Sequence, residues 1–171
     1  MLRIKNKGKS MKIAFQMDPI TSVDINADSS FRLAEEAQIR GHSLFYFSPD
    51  KLAFQEGTLI ARGHKMNVQR IATNPAILSA EMTNTVEDFD VVCLRQDPPF
   101  DMNFINNTYV LESAEKNGLA VVNSPSSLRT YNEKLSILNY PKLITDTLVT
   151  ANRKLMEEFV MILSLIHISE P

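Results

Sequence analysis

With Cys93 as its one cysteine, the chain can form no internal disulfide. That residue lies in the apolar run Val91-Val92-Cys93-Leu94, where a buried small hydrophobe is the simpler reading than a nucleophile. The three histidines, His42, His64 and His167, show no ligand spacing and no companion carboxylate motif, so no metal site is read from them. A basic surplus is also missing. The net charge is -2, which gives no support for a nucleic-acid footprint. No apolar run is long enough to span a bilayer. The first strand pattern is not followed by Gly-x-Gly-x-x-Gly, which disfavours a dinucleotide oxidoreductase, and no Walker-type phosphate loop occurs. Nothing supports a Ser-His-Asp or Cys-His catalyst.

What remains has the balance of a soluble globular protein, 44% hydrophobic and 22% charged. Its 171 residues suffice for one ordinary domain and the start of another. Met1–Ser10 carries Arg3, Lys5, Lys7 and Lys9, but the apolar stretch and small-residue cleavage site of a signal peptide do not follow. Met11 opens an apolar strand pattern directly. The expectation is that Met11 is the native start, that residues 1–10 are an upstream in-frame extension, and that the protein resides in the cytoplasm.

Lys12–Met17 reads as a buried strand ended by Asp18-Pro19. Asp28, Ser29 and Ser30 are each able to cap the helix that follows, in which Phe31, Ala34 and Ala37 share a face and Gly41 marks the stop. Leu44–Phe47 is the next strand, and strand–helix–strand order opens a parallel α/β sheet. Turn signals at Glu56-Gly57 and Arg62-Gly63 predict a small antiparallel excursion between Leu52 and Val68. Phe89–Leu94 is again a buried strand, broken by Asp97-Pro98-Pro99. A helix to about Lys116 follows, with Phe104, Thr108 and Leu111 on one side, and then a strand at Leu119–Val122. Beyond Asn123 the pattern changes. Ser124-Pro125 starts a helix, Asn132 caps a second one ended by Pro141, Ile144–Val149 reads as a strand, and Asn152 caps a helix through Val160.

In open α/β sheets ligands bind beyond the carboxyl ends of the strands. Asp18 follows the first strand, and Arg95 and Asp97 follow the strand ending at Leu94. If these strands are parallel neighbours, the polar groups converge on one edge with the helix that begins near Ser30, whose free N–H groups suit a carboxylate. Arg95 can fork onto a carboxylate, and Asp18 or Asp97 can take an ammonium. The plainer alternatives are a structural ion pair for Arg95 and Asp97, a turn organised by Asp97 before Pro98, and simple capping by Ser29 and Ser30. Whether an X–Pro bond of Asp97-Pro98-Pro99 is cis or trans is not set by the sequence.

Four segments together resemble the bacterial glutathione synthetases. They are MDPI at Met17–Ile20, DSSF at Asp28–Phe31, LRQDPPFD at Leu94–Asp101 and NSPSSLRTYNEKL at Asn123–Leu135, with TLVT at Thr147–Thr150 in agreement. The resemblance implies a Rossmann-like parallel sheet domain over residues 11–123 that helps hold a peptide substrate. It also implies the truncated start of an ATP-grasp domain over residues 124–162. The implied reaction joins γ-glutamylcysteine to glycine with ATP and magnesium through an acyl-phosphate, in a homo-oligomer when full-length. Asp18, Ser30, Arg95 and Asp97 are then candidate substrate contacts. Lys134, on its own only a lysine early in a helix, corresponds to the family lysine that contacts ATP phosphate, and Glu133 beside it is read as a helix N-terminal charge. The family's catalytic residues and magnesium ligands are expected further downstream. Residues 163–171 do not resemble the family. Leu163–Pro171 reads as one frame of a transposon-end adapter used in sequencing libraries, so it is expected to be non-native and without function, His167 included. The alternatives are another ATP-grasp carboxylate–amine ligase and a noncatalytic small-molecule-binding domain.

Overall fold

The computed structural model describes residues 9–132 and 134–168. The helix-terminal role expected of Glu133, most of the expected extension at residues 1–8, and the end of the expected tail at 169–171 lie outside the described residues. The chain divides into two compact units between Tyr131 and Asn132.

In the first unit, β1 (Lys12–Met17) lies between β2 (Ser43–Phe47) and β7 (Val91–Arg95), and β7 pairs onward with β8 (Ala120–Val122), all in parallel. Helix α1 (Ser29–Ile39) joins β1 to β2, and α2 (Met102–Lys116) joins β7 to β8. These are the crossovers that parallel pairing demands. The α1 helix is started by Asp28, whose Oδ1 accepts from the Phe31 N–H at 2.8 Å, and α2 by Asp101, whose Oδ1 accepts from the Phe104 N–H at 3.0 Å. The faces expected from spacing are the buried ones: Phe31, Ala34 and Ala37 on α1, and Phe104, Thr108 and Leu111 on α2.

The sheet is not the all-parallel one expected of a Rossmann-like domain. It is mixed and curled. After β2 only a single 3-10 turn, Pro49–Lys51, intervenes before the next strands, too short for a crossover, so the chain returns antiparallel. β3 (Leu52–Gln55) and β4 (Thr58–Val68) form a hairpin closed by Glu56 and Gly57, whose φ values of 50° and 82° fit a tight two-residue turn. The antiparallel excursion expected between Leu52 and Val68 is therefore real, but it does not stay apart. The second half of β4 pairs with β2, and β5 (Ala76–Leu78) and β6 (Met82–Thr85) pair antiparallel with β4. β4 changes neighbours around Gly63. A Cβ there would lie 2.1 Å from the Tyr46 carbonyl oxygen, so only glycine permits the approach.

Alternation along β1 divides the core. Ile13, Phe15 and Met17 pack with Phe31, Ala34 and Tyr46, whereas Ala14 packs with Phe47, Val92, Leu94 and Leu111. Each fully buried phenylalanine, such as Phe15 or Phe31, contributes about 1.5–3 kcal/mol relative to an exposed one. Helix α3 (Pro125–Thr130) belongs to this unit and is tied to α2 by Arg129. Its guanidinium donates to Thr108 Oγ1 at 2.9 Å and to Glu112, and lies 4.0 Å from the centre of the Tyr109 ring. Lys116 and Arg129 together hold the Glu112 carboxyl below its ordinary range.

The second unit opens on Asn132, whose Oδ1 accepts from the N–H groups of Lys134 and Leu135, both at 3.0 Å. A 3-10 turn, Leu135–Asn139, follows. The strand expected at Ile144–Val149 does not form. Those residues have β-branched character, but no described strand lies beside them to complete a ladder. Asn152 caps the last helix as expected, with Oδ1 accepting from the Lys154 N–H at 3.0 Å. That helix, α4 (Arg153–Ile168), runs past Val160. No described helix is long and apolar enough to cross a membrane.

Candidate functional site

β1 and β7 are parallel neighbours with Met17 opposite Arg95, so the residues that follow them leave the sheet at the same edge. Asp18 comes off β1, and Gln96 and Asp97 come off β7. The first turn of α1 arrives at the same edge because β1, the loop and α1 form one crossover unit. The result is a cluster from three separated segments. Arg95 donates from Nε to Ser30 Oγ at 2.9 Å and from Nη2 to Ser29 Oγ at 2.6 Å. The Asp97 backbone N–H donates to Asp18 Oδ2 at 2.7 Å. A cavity of about 280 Å³ opens here, with Asp18, Asp24, Asp28, Ser30, Arg95 and Asp97 in its lining and Met17, Val23 and Ala27 supplying apolar wall.

The electrostatics of this cavity are uneven. Arg95 is the one cation of the lining, against four carboxylates. Three of those carboxylates already accept backbone N–H bonds: Asp28 from Phe31, Asp24 from Asn26 at 2.9 Å, and Asp18 from Asp97. The Asp97 carboxylate and Arg95 Nη1 take no hydrogen-bond partner among the described residues. The cavity therefore offers one spare acidic group and one spare guanidinium edge, with the first-turn N–H groups of α1 nearby.

Four of the five expected site residues, Asp18, Ser30, Arg95 and Asp97, thus come together. Lys134 is in the second unit, exposed, and its ammonium has no partner among the described residues. The plainer readings resolve differently. Arg95 and Asp97 form no ion pair with each other among the described residues; Arg95 is held by serines instead. Asp28, not Ser29 or Ser30, is the cap of α1, which leaves both serine hydroxyls for the guanidinium. The Pro98–Pro99 peptide is the cis one.

Sequence reading passed over Ser29 as a second anchor of Arg95, Asp24 as a further lining acid, and Asn107. The Asn107 amide donates to the Pro49 carbonyl at 3.2 Å and to Gln96 Oε1 at 3.1 Å, tying the loop after β7 to the loop after β2. It lines a second, adjoining cavity of about 600 Å³ that shares Asp18, Pro19 and Asp97 with the first. Asp24 carried a usable signal, since it lies in the polar loop before the cap. Asn107 carried none, because its partners come from distant segments.

Cys93 sits one turn of the pleat before Arg95. Burial pushes its thiol up to about 11, although the Arg95 charge pulls the other way. At pH 8 roughly a thousandth of it is thiolate. Alkylation of the folded chain by iodoacetamide at pH 8 should therefore run at least about tenfold slower than in urea. Equal rates in both would show that the thiol is open to solvent and not a packing group.

The family model described as prokaryotic glutathione synthetase, N-terminal domain, matches residues 11–129. The glutathione synthetase of Brucella melitensis is 39% identical over 150 residues, covering 88% of this chain and 48% of that protein. Those of Mesorhizobium japonicum and Yersinia pestis are 43% identical over 140 residues and 42% identical over 149, covering 82% and 87% of this chain and 44% and 47% of theirs. The chain spans about half the length of the curated relatives it matches.

Proposed function

The chain belongs to the prokaryotic glutathione synthetase family, and from that premise we propose that it forms the peptide-holding part of an ATP-dependent ligase that joins γ-glutamylcysteine to glycine. The observation that carries this reading is Arg95, seated on Ser29 and Ser30 at the start of α1 with Nη1 unengaged. A guanidinium fixed on two hydroxyls keeps its remaining edge ready for a carboxylate and loses little entropy when one arrives. Asp18 and Asp97, joined through the Asp97 N–H, supply the acidic counterpart. Asp18 receives that backbone bond and so orients the loop, while the free carboxylate of Asp97 is the one that meets an ammonium.

ATP, when bound, supplies the phosphoryl group that activates the substrate carboxylate; Lys134 would contact its phosphates. Magnesium, like ATP, goes with the family reading, and its ligands are proposed to lie in the part of the family's sequence that follows residue 162. The opening of the ATP-grasp domain, expected from residue 124, is assigned from Asn132 to residue 162 on the strength of the NEKL segment, because α3 belongs to the first unit and the family model of the amino-terminal domain matches through residue 129; cytoplasmic residence and homo-oligomerisation go with the same family reading.

The test is Arg95→Ala in a full-length enzyme carrying this sequence. The KM for γ-glutamylcysteine should rise roughly ten- to a hundredfold, the loss of a charge-assisted bond of about 1.5–3 kcal/mol. The KM for ATP should stay within about twofold. A rise confined to ATP would move Arg95 to the nucleotide side and sink the assignment.

A further inference from the structure

Of the five glycines in the chain, Gly118 alone follows an asparagine. An asparagine before a glycine puts an electrophile and a nucleophile in adjacent residues. The backbone nitrogen of the second can attack the side-chain carboxamide carbon of the first, and glycine has no Cβ to obstruct the approach. Here the pair stands at the end of α2, and both residues are exposed. We infer that Asn117-Gly118 is a self-modification site, at which Asn117 loses ammonia through a cyclic imide at a rate set by the opening of the α2 C-cap.

The cap holds the two groups apart. Gly118 has a φ of 100° and donates its N–H to the Glu115 carbonyl at 3.0 Å, while Leu119 donates to the Ala114 carbonyl at 3.1 Å. These bonds are the Schellman closure of a helix, fastened by Leu119, which packs against the apolar cluster that contains Ala114. The attacking nitrogen must shed its proton, and in the cap that proton is held on a carbonyl. Asn117 has a ψ of 5°, which turns the Gly118 nitrogen away from the Asn117 side chain. The carboxamide itself takes no partner among the described residues, so the backbone alone restrains the reaction. Opening the cap frees both groups at once. It disturbs the last turn of α2 and the three-residue strand β8, whose one described neighbour is β7, so it costs less than global unfolding. Ring closure joins the Gly118 nitrogen to Asn117 Cγ and expels the side-chain nitrogen as ammonia, which carries off the amide proton. Water then opens the imide at either carbonyl. One opening leaves an aspartate, the other an isoaspartate whose backbone is longer by a methylene. Either product places a carboxylate at the negative end of α2. The longer backbone also cannot seat Gly118 and Leu119 together on their carbonyls, so the joint between α2 and β8 loosens.

The experiment incubates the 171-residue chain at mildly alkaline pH, in buffer and in urea, and follows deamidation site by site from the fragment masses of its tryptic peptides, Asn117–Arg129 among them. Asn117 should convert before any other asparagine in both media. In buffer it should convert roughly ten- to a thousandfold more slowly than in urea, as expected for local opening at a helix end. Leu119→Ala removes the apolar fastening of the cap. It should raise the rate in buffer at least about threefold and leave the rate in urea unchanged. Asn117→Gln keeps a carboxamide but enlarges the ring that attack must close. It should abolish the early conversion and leave the melting curve in place. The converted chain, separated by ion exchange, should melt at least about 2 °C lower. Equal rates in buffer and urea, or a rate in buffer that Leu119→Ala does not move, would show that the cap is not the gate. A rate in buffer more than about a thousandfold below that in urea would show a sealed site. Another asparagine converting first would place the reactive site elsewhere. Any of these results overturns the inference.

Discussion

In a full-length enzyme carrying this sequence, Lys134→Gln is expected to lower ATP affinity or turnover by roughly ten- to a thousandfold, with the melting temperature of the ligand-free protein unchanged. Lys134 is exposed at the mouth of the 3-10 turn Leu135–Asn139, and its ammonium has no partner among the described residues. The backbone there is held by Asn132, not by the lysine side chain. Removing the charge therefore disturbs no packing, and an exposed side chain of this kind contributes within about 0.5 kcal/mol to folding. Glutamine keeps the approximate length and a donor but carries no charge, so the substitution isolates the electrostatic part. A positive point charge is worth most where negative charge accumulates away from water, as when a carboxylate meets a triphosphate. Steady-state kinetics with ATP varied, alongside a melting curve, decides the matter. Normal kinetics would return Lys134 to a solvated surface lysine, and a collapsed melt would make it structural.

Lys134 also marks the limit of what local pattern shows. Nothing in the physical reading of Asn132–Leu135 sets that lysine apart from any other near a helix start, and only the family resemblance singles it out. The edge of the sheet was different. The buried-strand patterns at Lys12–Met17 and Phe89–Leu94 locate two strands, and their parallel pairing places Asp18 beside Asp97 as a direct consequence. The partners of Arg95 were not legible in the same way. Ser29 and Ser30 are 66 and 65 residues away in the chain, and as a pair before Phe31 they look like helix caps. Asp28 took that role because an Asx side chain one residue earlier reaches the N–H of Phe31. The mixed sheet was hidden by composition. β4 buries Leu59, Ala61, Met66 and Val68, but its inward positions include small residues and its outward ones include Lys65 and Asn67, so the alternation does not read as one eleven-residue strand. At Ile144–Val149 the opposite happened: local preference pointed to a strand that has no described neighbour to pair with.

Gly63 is the residue on which the curled sheet depends, and Gly63→Ala should lower the melting temperature of the chain by at least about 10 °C. The first half of β4 pairs with β3 and β6 up to Gly63, and the second half pairs with β2 and β5 from His64 onward. To change neighbours within one strand, the backbone has to pass close over the end of β2. A methyl group at residue 63 would sit 2.1 Å from the Tyr46 carbonyl oxygen and 2.8 Å from Phe47 Cβ. Both are fixed groups: one is backbone, the other is the first carbon of a fully buried side chain. Neither can swing aside, so β4 must lift off β2, exposing Tyr46 and Phe47 and breaking the pairing of Tyr46 with His64. Overpacking of a yielding core costs about 1–3 kcal/mol, and this site yields less. Gly57→Asn is the control. Its φ of 82° is one that asparagine tolerates, and a Cβ there meets nothing within 4 Å, so its melt should fall by no more than about 3 °C. The two melts together separate a generic glycine effect from the steric one. If Gly63→Ala melts with the unsubstituted chain, β4 does not cross β2 at this point, and the antiparallel ribbon is not joined to the parallel sheet as described.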